Sequence, residues 1–160
     1  MSGELENAAR RIIPLPNKNI DEAMLDYAKL IIEKRRQLSE LRNKVSEIEL
    51  SLTGYKTQSA ISELEKEYQK LSSDIEDLHE AMITQNLSSV KEINSASITA
   101  HNQLLTSIEE GDIPMEMNQL EQSLMMIGQQ MNSKTIAANS RMGITISVVA
   151  TVIAVISILS

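Results

Sequence analysis

Between residues 20 and 53 the apolar positions recur at alternating spacings of three and four. Met24, Tyr27, Ile31, Leu38, Leu41, Val45, Ile48 and Leu52 keep this register, and Lys34 is the one polar residue standing in it. That spacing paints a single stripe along an α-helix and is the seam of a coiled coil. Asn19, with Glu22 three residues later, predicts a capping box at the start, and Gly54 predicts the end. A second seam follows with no interruption: Ile61, Leu64, Tyr68, Leu71, Ile75, Leu78 and Met82, with Thr57 or Ser59 available as its cap. After Met82 the phase slips by one residue. The seam resumes at Ile83, Leu87 and Val90, turns polar at Asn94, Ser97 and His101, and then reaches Leu104 and Ile108. A slip of this kind changes the local supercoil. The Ser, Thr, Asn and Gln of 84–106 predict loosened, solvated packing, or a polar patch that fixes register. The short connection at 54–59 predicts an antiparallel coiled-coil hairpin over 20–110.

The next break is Glu109-Glu110-Gly111-Asp112-Ile113-Pro114, where Gly terminates and Pro fits the first turn of a new helix. Met117, Leu120, Leu124, Ile127 and Met131 give a third, Met-rich amphipathic helix in 111–142. Such a stripe reads either as ordinary core or as an adaptable groove. The pattern then changes character. From Gly143 to Ser160 no residue is charged, and apolar side chains face every direction: Gly143, Ile144, Ile146, Val148, Val149, Val152, Ile153, Val155, Ile156, Ile158 and Leu159. As a helix these 18 residues extend about 27 Å, close to the roughly 30 Å hydrocarbon core of a bilayer. The prediction is a transmembrane helix. A core helix buried in a soluble bundle is the competing reading, because it too is apolar all round. A strand is disfavoured, since no other segment offers it a pairing edge. Within the span, Ser147, Ala150, Ala154 and Ser157 continue a row of small residues from Gly143. The row reads as a helix-association face or as plain filler.

Residues 1–19 break the pattern again. Arg10-Arg11-Ile12-Ile13-Pro14-Leu15-Pro16 combines apolar bulk with proline restriction and predicts an extended arm. The expected fold is therefore all-α: a long helical hairpin, then a third helix running into a C-terminal transmembrane helix.

Composition narrows the function classes. The 160 residues include no Cys, Trp or Phe and three Tyr, with a net charge of -7. Without Cys there is no disulfide scaffold and no thiolate metal centre. Acidity and the lack of aromatic platforms argue against a nucleic-acid partner. His79 with Glu76 and Glu80 is the nearest approach to a metal-ligand cluster, and a solvated acidic face explains it as well. No phosphate loop or nucleophile motif occurs, so neither catalysis, a cofactor nor a small-molecule substrate is expected. Two helices alone bury little, so the seams predict a homo-oligomer or a multi-protein assembly. The expected function is a membrane-anchored, self-associating structural or interaction protein. Its tail anchor would insert after synthesis and leave the N-terminal bulk cytoplasmic, in keeping with Lys134 and Arg141 before the span. The alternative is a pore-forming or translocation subunit, soluble until its shielded C-terminal helix is released into a bilayer.

Overall fold

The computed structural model of the protein describes residues 2–13, 19–93 and 96–159. It is helical, with no strand among the described residues. The elements are α1 (Ser2–Ile12), α2 (Glu22–Glu47), α3 (Tyr55–Ile83), a 3-10 turn (Leu87–Ser89), α4 (Ile98–Glu109) and α5 (Asp112–Leu159). Residues pack into two compact units. The first comprises 1–40 and 69–125, and the second 41–68 and 126–160.

In the first unit, α1 takes residues 2–12 of the stretch that the sequence assigns to an extended arm, while residues 14–18, with both prolines, lie outside the described residues. Proline restricts only the residue before it and its own position. Upstream, the chain is free to coil, and Arg10 closes an i,i+4 pair on Glu6 at 2.9 Å while Ala9 is fully buried. The entry to α2 is also shifted. Asp21, rather than Asn19, accepts the backbone N–H of Ala23 at 3.0 Å. Its other carboxylate oxygen takes the Ser97 hydroxyl at 2.6 Å, and Ser97 itself caps α4 by accepting from Ala100. One carboxylate thus joins two helix starts, which anchors both against fraying. Tyr27, Ile31 and Leu38 of α2, with Leu71, Ile75 and Leu78 of α3, are buried as their spacing requires. Tyr27 donates its hydroxyl to the Leu78 carbonyl at 2.8 Å, and burial pushes its phenol well above the ordinary tyrosine range. Lys34, the interruption in the seam, is buried and donates to Asp74 at 2.7 Å. Arg35 pairs with the buried Glu116 of α5.

The phase slip after Met82 is a helix break rather than a change of supercoil. α3 stops at Ile83, which is 67% exposed, and Gln85 adopts a left-handed conformation (φ 54°). Asn86 caps the 3-10 turn, and Leu87 and Val90 return to the core. Of the polar trio, Ser97 is the α4 cap, His101 is half-buried, and Asn94 lies outside the described residues. Gly111 (φ 87°) turns the chain as expected, and Pro114 sits in the first turn of α5.

In the second unit, α2 contributes 41–47, α3 contributes 55–68 and α5 contributes 126–159. Leu41 and Val45 are buried, as is Ile61, while Leu64 and Tyr68 are half-buried. Ile127, Met131 and Ala138 form the buried edge of α5. A Cβ on Gly128 would stand 2.7 Å from the Tyr68 hydroxyl, and one on Gly54 would stand 2.1 Å from the Ala138 carbonyl. These two contacts run α3 antiparallel to α5. Leu52 departs from its predicted seam position, being 90% exposed. The helix has already ended at Glu47, so the helical period no longer dictates which way residue 52 points.

Candidate membrane-spanning site

The strongest candidate site is the apolar end of α5 and the loop fastened at its base, both in the second unit. Side chains from Ile144 to Val155 project all round the helix. Ile144, Ile146, Val148, Val149, Val152, Ile153 and Val155 are 51–61% exposed, close to what an unpacked helix leaves open. In the most apolar 18-residue window only 6% of residues are buried. A core helix would show the reverse, and no described residue covers the segment. For Ile156, Ile158 and Leu159 only the helical backbone is described.

The polar atoms of the segment turn inward on the helix itself. Thr145 donates to the Arg141 carbonyl at 2.9 Å and Ser147 to Gly143 at 2.9 Å. Thr151 donates to Ser147 at 2.8 Å and Ser157 to Ile153 at 2.9 Å. Hydrocarbon offers no hydrogen bonds, and an unpaired hydroxyl there costs about 1–3 kcal/mol or more. Back-bonding to the carbonyl four residues earlier removes that cost. The segment presents a lipid-compatible surface despite its hydroxyls.

At the base of the segment α5 carries Lys134, Ala138 and Arg141 on one face, spaced by four and three. Lys134 donates to the carbonyls of Ser46 (3.1 Å) and Ile48. Arg141 donates through one nitrogen to the carbonyls of Leu50 (2.7 Å) and Ser51 (2.9 Å). Carbonyls at a helix C-terminus have no intrahelical partner and carry partial negative charge. Lys134 supplies a donor to Ser46 in the last turn of α2, and the two cations together bond the loop carbonyls of Ile48, Leu50 and Ser51 that follow it. Between them the small Ala138 lets Gly54 approach. Gly54 has φ 83°, a conformation that L side chains avoid. Thr57 completes this collar. Buried at 1% exposure, its hydroxyl accepts from the Ser51 N–H at 2.8 Å and donates to the Glu49 carbonyl at 2.9 Å.

No known protein family, curated protein or solved structure matches the chain.

The small-residue positions are not brought against any described partner. Ser147, Ala150, Ala154 and Ser157 are exposed, and Gly143, Ser147 and Thr151 form the floor of an open furrow flanked by Ile144, Val148 and Val152. The metal reading of His79 is redirected, because its Nδ1 meets the Glu121 carboxylate of α5 rather than a second acid of its own helix. Among the described residues no group of three His, Cys, Asp or Glu is placed to hold a metal ion. In the sequence Lys134 and Arg141 stand only as charges flanking the span, and the collar they form is not apparent. The signal was present in the 134, 138, 141 spacing opposite a glycine-containing loop.

Proposed function

We propose that the protein is a membrane-anchored, non-catalytic α-helical interaction protein, in which α5 crosses a lipid bilayer from about Met142 onward. The observation that carries this reading is the uncovered segment from Ile144 to Val155, whose hydroxyls are all turned onto their own backbone. Ten Ile, Val and Leu residues between 144 and 159 favour insertion by roughly 3–6 kcal/mol in sum. The span lacks charge, so no residue opposes that sum by the 2.5 kcal/mol or more, approximately, that an Asp, Lys or Arg adds at the helix centre.

The seams of α2 and α3 support a hairpin of coiled-coil type as the head of the molecule. The furrow over Gly143, Ser147 and Thr151 and the exposed Met125 and Met126 support self-association as its mode of assembly. We put the head on the cytoplasmic side, a reading for which Lys134 and Arg141 just before the span are the support. The soluble-until-released alternative needs a cover for the apolar segment. With 6% of the window buried, that cover must come from outside the described residues.

Measuring the mass of the full-length protein in detergent and in aqueous buffer tests the reading. The expected result is a defined small oligomer in detergent and aggregation or vesicle association without it. A monodisperse species in plain buffer that later makes vesicles leak favours the released-subunit alternative. A monodisperse species that never engages vesicles overturns both.

A further inference from the structure

The loop between α2 and α3, with the first residue of α3, carries three exposed apolar side chains, Leu50 (40%), Leu52 (90%) and Tyr55 (54%). An aliphatic side chain standing almost free in water forgoes the gain of burial. A single exposed leucine is commonplace; the attachment of this one is what matters. The carbonyls of Leu50 and Ser51, the two residues just before Leu52, are bonded to Arg141. Gly54 touches Ala138 and Met142. The loop is thus fixed to α5 between residues 138 and 142, ending one residue before the apolar span.

Depth follows from helix geometry. If the span fills the hydrocarbon core, residues 138–142 occupy a layer about 6 Å thick along the helix. The headgroup region on each side of a bilayer is about 5–7 Å thick. The collar therefore sits in that layer, and a loop bonded to it stands at the same level. Tyrosine is enriched at this level because its ring is apolar and its hydroxyl stays wet. The antiparallel course of α3 carries the rest of this unit the other way, from Gly54 at Ala138 to Tyr68 at Gly128.

We propose that residues 48–55 are a second membrane contact, an interfacial finger whose Leu52, with Leu50 and Tyr55, enters the headgroup layer of the leaflet that α5 penetrates. This rests on the membrane-spanning reading. The occupant is the lipid interface itself. Continuity with the lipid-facing segment argues for it, and the finger carries a single charge, Glu49, flanked by Glu47 and Lys56, so it holds no cationic cluster to select an anionic headgroup. The finger fixes the angle and height of the second unit: one helix crossing alone leaves that unit free to swivel, and a second contact removes that freedom.

The chain has no cysteine, so single substitutions can be labelled without a background. We would place an environment-sensitive fluorophore on Leu52→Cys, on Val152→Cys and on Glu65→Cys, each in the full chain in phosphatidylcholine vesicles. Glu65 is an exposed residue of α3 about 15 Å from Tyr55 along the helix. Nitroxide lipids then quench at headgroup depth or at mid-bilayer depth. The expected result is loss of most fluorescence at 52 with the shallow quencher, at 152 with the deep quencher, and no loss at 65. Quenching at 152 with position 52 behaving like 65 overturns the finger and leaves the span intact. No quenching at 152 overturns the span and the finger with it, whatever the label at 52 does. Circular dichroism of the Leu52 variant checks the fold, which an exposed residue outside the helices should leave unchanged.

Discussion

The collar makes a quantitative prediction that three glycines read out together. At Gly54 a Cβ would lie 2.1 Å from the Ala138 carbonyl oxygen and 2.9 Å from Met142 Cγ, with φ already at 83°. Atoms do not approach so closely, so the loop and α5 must separate by about 1 Å, which forfeits much of the contact energy between them. The left-handed conformation alone costs a residue with a side chain about 1–2 kcal/mol. Separation also lengthens the bonds from Arg141 to Leu50 and Ser51, each worth about 1.5–3 kcal/mol when the donor is charged and less where water reaches it. Gly54→Ala should therefore cost about 3–5 kcal/mol. Gly111 has the same backbone conformation (φ 87°) with nothing within 4 Å of its Cβ position, so Gly111→Ala should cost only the strain, about 1–2 kcal/mol. Gly143 lies inside α5 with open space around it, and Gly143→Ala should stabilise the helix by up to about 1 kcal/mol. Urea unfolding of each full-length variant in micelles, followed by circular dichroism, gives the three values at constant m. If Gly54→Ala costs no more than Gly111→Ala, the close approach of loop and helix is not what holds the collar.

Three further outcomes are expected. Lys34→Met should change stability by less than about 1 kcal/mol when Asp74 is replaced with it by Leu, whereas Asp74→Leu alone, which strands a buried ammonium, should cost about 3 kcal/mol; a double variant as damaged as the single would contradict this. Tyr27 has its folded pKa raised, so its contribution is complete below the unfolded tyrosine value near pH 10 and is lost as pH rises above it. Stability should fall faster above pH 10 in the wild type than in Tyr27→Phe, and parallel curves would count against the buried phenol. Leu41→Asp or Leu71→Asp, placing a charge at a buried seam position, should cost at least about 3 kcal/mol and lower helicity, while Leu52→Asp should leave circular dichroism unchanged.

Periodicity exposed the helices wherever packing enforced it. Leu38, Leu41, Leu71, Ile75 and Leu78 are buried because a stripe of such residues has only one way to leave water. It failed where backbone hydrogen bonding, not side-chain burial, set the course. α2 ends at Glu47 rather than at Gly54, and the carbonyls from Ser46 to Ser51 are taken by cations 86–91 residues away. No local propensity encodes such a partner. The slip at Met82 was visible, but a break and a change of supercoil leave the same mark in sequence, and only the left-handed Gln85 separates them. At the N-terminus Pro14 and Pro16 drew an extended reading across residues they do not constrain. The apolar span was legible because a charge-free run of 18 residues is a statement about its surroundings as much as about its shape. The loop tip at Leu52 was not, because its meaning lies in what Arg141 holds.

The central claim is that α5 enters hydrocarbon beyond Met142, and flotation of the full-length protein with phospholipid vesicles after a high-salt wash tests it directly. Salt releases proteins held by charge alone. The wild type should rise with the vesicles, and Val152→Arg, which puts a cation near mid-span at a cost of about 2.5–3.5 kcal/mol, should shift the bound-to-free ratio by roughly 60- to 300-fold. A wild-type protein that stays at the bottom of the gradient, or a Val152→Arg variant that floats equally well, would contradict the account.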